Sequence, residues 1–166
     1  NLLDIKNISN IDNEILPNLI KPSGYYNQKA KRLKILASYI KDNFNGNLDV
    51  FFNRELQEIR NELLSLNGIG PETADSILLY AGNFPIFVVD AYTKRICQRL
   101  PIKVDITYQD IQYYFQSELS KEFKKKELNK VYNELHAQIV ILGKTYCKKK
   151  PDCIHCPLKK NCNFRK

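Results

Sequence analysis

The 166-residue chain contains no methionine, even at its first position. Its opening, NLLDIKNISN, therefore reads as the interior of a longer polypeptide, and an N-terminal segment is expected to be absent from it. No run of 18 apolar residues occurs, so no membrane-spanning helix is expected. No secretory leader is visible either. Acidic residues are outnumbered: 18 Asp and Glu face 26 Lys and Arg, for a formal net charge of +8. Such a balance favours a polyanionic partner, nucleic acid first, although solubility alone would also account for it. Cysteine is nearly absent before residue 147, where only Cys97 occurs, and the other four of the five fall in the last twenty residues. Clustered cysteines without secretion signals favour a metal site in a reducing compartment over disulfides.

What is present reads as helices joined by short loops. Residues 11–20 form a short candidate helix ending near Pro22. SGYYNQKAKRLKILASYIKDNF is a stronger one, with Ala30, Leu33, Ile35, Leu36, Tyr39 and Ile40 recurring at helical spacing. NGN at 45–47 breaks it, and residues 52–66 form the next helix. A helix over 71–81 follows. The apolar stretch GNFPIFVVD is too short and isolated to pair as a strand and reads as a buried connector. Helices over 90–100, 108–120 and 127–142 complete an all-α chain, with no repeats or low-complexity segments.

Three features carry chemistry. Between two helices, Leu66, Gly68, Ile69 and Gly70 give apolar-x-Gly-apolar-Gly, followed by Pro71. Glycine permits positive φ and close approach of another backbone, and proline suits the first position of a helix. Amides around Gly68, Ile69 and Gly70 then point out of a helix N-terminus, where they can hold a phosphate oxygen without reading sequence. The plainer explanation is a tight helix–helix turn. Second, FVVDAYTKR sets Asp90 before a helix. Aspartate is a favoured N-cap. It is also an anion held beside positive amide dipoles, suited to stabilising a developing cation or activating water. Third, Cys147, Cys153, Cys156 and Cys162 are spaced C-x5-C-x2-C-x5-C. Four thiolates this close bind zinc or a [4Fe–4S] cluster, and spacing alone leaves both open. The surrounding segment, with Lys148, Lys149 and Lys150, presents a basic face to phosphates.

In this order the three features resemble the endonuclease III superfamily of DNA glycosylases. The resemblance runs from LNGIG through VVDAYTKR to the cysteine loop, over about residues 11–162. It implies a helix-hairpin-helix glycosylase fold in two helical lobes. A partial barrel lobe would span 1–84, with the hairpin motif at about 54–81. A cluster lobe would span 85–166, with its loop at 147–162, and Asp90 would lie in the cleft between the lobes. It also implies base-excision repair: a damaged base is flipped out of double-stranded DNA and its N-glycosidic bond is cleaved. On this resemblance Asp90 is the catalytic aspartate and Gly68, Ile69 and Gly70 grip the DNA backbone, with a monovalent cation at the hairpin. The four cysteines hold a [4Fe–4S] cluster that orients a DNA-contacting loop. Helices that would precede residue 1 complete the family's barrel.

Two departures from the family pattern stand out. Bifunctional members carry a lysine two residues after the second hairpin glycine; here that position is Glu72, and a carboxylate forms no imine. The expectation is therefore a monofunctional glycosylase, with an alkylated purine as first substrate. SGYYNQKAKRL and GIGPETADSILLY are similar to the endonuclease III-like 3-methyladenine glycosylases of bacteria, which also have an acidic residue there and can lack the cluster. The first cysteine interval is five residues where six is commoner. A bifunctional glycosylase and AP lyase using another amine is the enzyme alternative, and a non-catalytic DNA-binding module is the alternative of another class. A monomer acting on DNA in the cytoplasm, nucleoid-associated, or in a nucleus is expected. Helix-face packing is the expected role of Tyr25, Tyr26 and Lys29, with approach to DNA as the alternative; core packing is expected of Tyr80, with the lesion pocket as the alternative. His136 is expected to be a satisfied buried histidine and Cys97 a small buried apolar residue, while Lys94 and Arg95 are secondary candidates for phosphate contact.

Overall fold

The computed structural model describes residues 4–164, which contain nine α-helices and no strand. They fall into two compact units, 4–70 and 71–164.

In the first unit α1 (Ile5–Asn10) opens on Asp4, whose Oδ1 accepts from the amides of Lys6 and Asn7 at 2.9 and 3.1 Å. The sequence periodicity did not single this helix out. α2 is only Ile15–Leu19, shorter than the helix expected over 11–20. Asp12 explains the difference: its Oδ1 accepts from Glu14 N at 2.7 Å, folding 12–14 into a side-chain-closed turn. α3 (Tyr26–Phe44) buries Ala30, Ala37 and Ile40 along one face. NGN ends it as expected. Asn45 and Gly46 take positive φ and return their amides to Ile40 O, and Asn47 Oδ1 caps α4 (Leu48–Phe52) through Val50 N at 3.0 Å.

The helix expected over 52–66 is α5 (Leu56–Ser65) with a later start: Phe52 instead ends α4, and 53–55 break the chain between the two helices. The break is tertiary in origin. It lets Phe51 bury fully against the rings of Phe44 and Tyr39. Arg54 at the corner then pairs with Glu58 and Glu62 of α5 while lying over Phe44. Ile59 and Leu63 of α5 complete this core.

In the second unit α6 (Pro71–Ser76) runs into a π turn at Ile77–Ala81, so the 71–81 segment is helical but widened in its last turn. The connector that follows is buried, as expected: Ile86 to Val89 are at most 5% exposed. Buried backbone must find partners, and here side chains supply them. Gln116 Oε1 accepts from Phe87 N at 2.9 Å, Gln112 Nε2 donates to Phe87 O at 2.6 Å, and Asn129 Nδ2 donates to Leu79 O and Phe84 O. Both glutamines belong to α8 (Tyr108–Glu122) and Asn129 to α9 (Leu128–Thr145). The connector delivers the chain to α7 (Ala91–Arg99), which packs on α9 where Gly143 makes room for Tyr92. A Cβ at Gly143 would lie 2.4 Å from Tyr92 Cδ1. Residues 146–164 continue as turns.

Candidate active site and cysteine cavity

Asp90 is the N-cap of α7, as its place in the sequence suggests, and only 9% exposed. Thr93 fixes one carboxylate oxygen twice: its amide and its hydroxyl donate to Oδ1 at 2.7 and 2.8 Å. The other oxygen, Oδ2, faces His136 of α9, whose Nε2 lies 3.7 Å away. The opposite ring nitrogen, Nδ1, is 2.5 Å from the Tyr80 hydroxyl. His136 is therefore buried, as expected, but not satisfied, since among the described residues Nε2 has no hydrogen-bond partner. Tyr80 is not a core residue either; it is 44% exposed, with only its hydroxyl committed inward.

The electrostatics centre on Asp90. Glu72, in the first turn of α6, has its carboxyl raised above the usual range, mainly by partial burial of its acid end and then by the Asp90 charge, with Lys94 opposing. Burial and the Asp90 charge also raise Tyr80. Burial lowers His136, while Asp90 pulls it the other way. The neutral forms of tyrosine and histidine are thus favoured around one carboxylate.

In the hairpin Gly68 takes φ +83°, a conformation that needs glycine, and Gly70 stands in open space. Both are exposed, while Ile69 is buried and anchors the loop. The Ile69 amide is already used, donating to Leu66 O at 3.0 Å. This corrects the expectation of an outward amide at each of the three positions: of the three, the amides of Gly68 and Gly70 have no partner among the described residues.

Cys147, Cys153, Cys156 and Cys162 are all unbridged and line one cavity of about 240 Å3. Arg99 lies on its wall, donating to Cys147 Sγ at 3.2 Å and to Lys148 O at 2.7 Å, with its guanidinium 4.2 Å from the Phe164 ring centre. Among the described residues no three His, Cys, Asp or Glu side chains are placed to hold one metal ion. Lys148, Lys149 and Lys150 are exposed beside the cavity. Arg95 is partly committed: it donates to Cys147 O at 2.7 Å and to Gly143 O at 3.4 Å and lies over Tyr92. Cys97 is buried, and burial pushes its thiol up to about 11. Tyr25 does not pack: it is 84% exposed, at positive φ, while Tyr26 is half-buried and Lys29 Nζ donates to Ser23 O.

The Tyr80–His136 pair escaped the sequence because the two residues are 56 positions apart with no local signal. The Gln112 and Gln116 clamp leaves only a faint one, two amides four apart on a helix.

No helix among the described residues is long and apolar enough to cross a membrane. A protein of Methanocaldococcus jannaschii named as a candidate DNA repair glycosylase is 44% identical over 97% of this chain and 71% of its own length. Endonuclease III of Sulfolobus acidocaldarius is 30% identical over 95% of this chain and 66% of its own. Among solved structures, the 3-methyladenine DNA glycosylase of Helicobacter pylori bound to 1,N6-ethenoadenine superposes with a TM-score of 0.71. It shares 32% identity over 84% of this chain and 66% of that one. A non-covalent endonuclease III–DNA complex gives 0.68 at 25% identity, over 98% of this chain and 69% of that one. The chain thus spans about two thirds of the length of these relatives. The family model described as HhH-GPD superfamily base excision DNA repair protein matches residues 1–121, and the chain belongs to that superfamily.

Proposed function

We propose that the chain acts as a monofunctional DNA N-glycosylase on double-stranded DNA with a damaged base, an alkylated purine first. The observation that carries this reading is that Glu72, within electrostatic reach of Asp90, is a carboxylate where an imine-forming enzyme needs an amine. Asp90, fixed by Thr93 as an N-cap, is the catalytic residue. As the bond between the sugar C1′ and the base nitrogen breaks, its electron pair leaves with the base. Positive charge then develops on the sugar, and the carboxylate stabilises it. A water adds to C1′ and gives its proton to the carboxylate. An alkylated purine leaves easily because alkylation already makes it cationic. Glu72 borders the same carboxylate and is the position expected to bear on lesion choice. The H. pylori structure, with its ethenoadenine ligand, supports a purine substrate.

Gly68, Ile69 and Gly70 are assigned to the DNA backbone, with a monovalent cation as the expected helper, and Lys148, Lys149 and Lys150 to phosphates beside the cysteine loop. Four free thiols lining one cavity are the donor set that a [4Fe–4S] cluster takes. Cys147, Cys153, Cys156 and Cys162 would hold a [4Fe–4S] cluster, which supplies structural cross-linking of residues 147–162. Its test is iron and sulfide analysis with the visible absorbance of such clusters, against one zinc per chain. The protein is read as a monomer working where DNA is, in a nucleoid or a nucleus.

The activity is tested on labelled duplexes carrying one lesion each: a stable 3-methyladenine analogue, an oxidised pyrimidine, uracil or an abasic site. Strand cleavage only after hot alkali, abolished by Asp90→Asn, is the expected result. Cleavage without alkali would favour the lyase alternative, for which Lys94, close enough to act on Glu72, is the amine to test by borohydride trapping. Binding without cleavage of any duplex would make the chain a DNA-binding module.

A further inference from the structure

We propose that Tyr80 and His136 are positioning residues for Asp90: Tyr80 fixes the imidazole tautomer, and the imidazole presents Nε2–H to the Asp90 carboxylate. The inference rests on Asp90 being the catalytic carboxylate. It stands on geometry from three separate elements. Asp90 begins α7, Tyr80 lies in the π turn and His136 lies on α9. The Tyr80 hydroxyl is bonded to Nδ1, and Nε2, buried without a partner among the described residues, lies 3.7 Å from Asp90 Oδ2.

Each atom then has one consistent role. Burial and the Asp90 charge keep the tyrosine protonated, so its O–H donates and Nδ1 accepts. Burial keeps the imidazole neutral, so its one proton is on Nε2. An N–H with no partner in a buried site is costly, and a separation of 3.7 Å exceeds a hydrogen bond. A small rotation of the Asp90 side chain or one bridging water closes it. Thr93 already holds Oδ1, so a donor on Oδ2 from a second helix fixes the plane of the carboxylate without giving it a proton. Oδ2 has a second lone pair for the sugar or the water. Glu72 of α6 is within electrostatic reach of Asp90, and Lys94 of α7 opposes the effect of Asp90 on it.

The test uses the full chain under single-turnover conditions on the lesion duplex that it cleaves, with duplex affinity measured separately. His136→Leu should slow the chemical step on the order of a hundredfold, the cost of a misplaced reacting group, with affinity unchanged. His136→Gln, which keeps an N–H near the Nε2 position, should recover most of the rate, and Tyr80→Phe should fall between them. Long-range 1H–15N NMR should show the His136 proton on Nε2, and Tyr80→Phe should release the tautomer preference. A proton on Nδ1 in the parent protein overturns the proposal. So does a His136→Leu variant with full activity when Asp90→Asn is inactive. An active Asp90→Asn variant removes Asp90 from catalysis, and this proposal with it.

Discussion

At the residue scale, one carboxylate serves folding and chemistry together. Asp90 caps α7 because its Oδ1 meets the Thr93 amide, and the same hydrogen bonds keep its charge at a fixed place inside the unit. Its neighbours therefore carry pH dependence of known sign. Glu72 has a raised carboxyl pKa, so its contribution to stability is full below the ordinary 4.5 and lost as pH rises through the raised value. Glu72→Gln should match or exceed the parent in Tm at neutral pH, with the advantage vanishing in acid, as read by thermal melts across pH. An advantage largest in acid would contradict the burial account. His136 behaves oppositely: its pKa is lowered, so its contribution is present above 6.5 and lost as pH falls. The parent should lose more Tm below that value than His136→Gln does.

At the scale of elements, helices with strong periodicity and clear punctuation were legible, α3 with its NGN stop above all. The break between α4 and α5 was not, because nothing in residues 52–66 forbids a helix; Phe51 burial and the Arg54 ion pairs decide it from outside the segment. Asp90 was legible because an N-cap signal is local. Tyr80 and His136 were not, because only the packing of α9 beside the π turn joins them. Two substitutions test this packing. Gly143→Ala puts a methyl into the Tyr92 ring and should cost about 1–3 kcal/mol in denaturant unfolding, as overpacking does. Because α7 and α9 carry Asp90 and His136, glycosylase activity should fall with it. Gln112→Leu strands the buried Phe87 carbonyl and should cost about 1–3 kcal/mol, the penalty of an unsatisfied buried acceptor.

For the whole molecule, the net charge of +8 measures how strongly the chain attracts a polyanion but not which part of it makes contact. Salt dependence separates the two. Each lysine that neutralises a phosphate releases condensed counterions, so the logarithm of the binding constant falls with the logarithm of salt by about 0.9 per contact. Lys148, Lys149 and Lys150 are exposed and consecutive, and the backbone carbonyls of Lys148 and Lys149 are tied to Arg99 at the cysteine cavity. If all three meet phosphates, replacing them with alanine should flatten the slope by roughly 2.7 on undamaged and lesion duplexes alike, because phosphate contacts carry no sequence or lesion information. The chemical step at saturating enzyme should be unchanged, since all three lie in the cysteine loop, far from Asp90 in sequence. A flattened slope with a slowed step would place the cysteine loop in catalysis as well as in binding. An unchanged slope would leave the lysines solvated and return the phosphate contact to the hairpin, where Gly68 and Gly70 have amides without partners among the described residues.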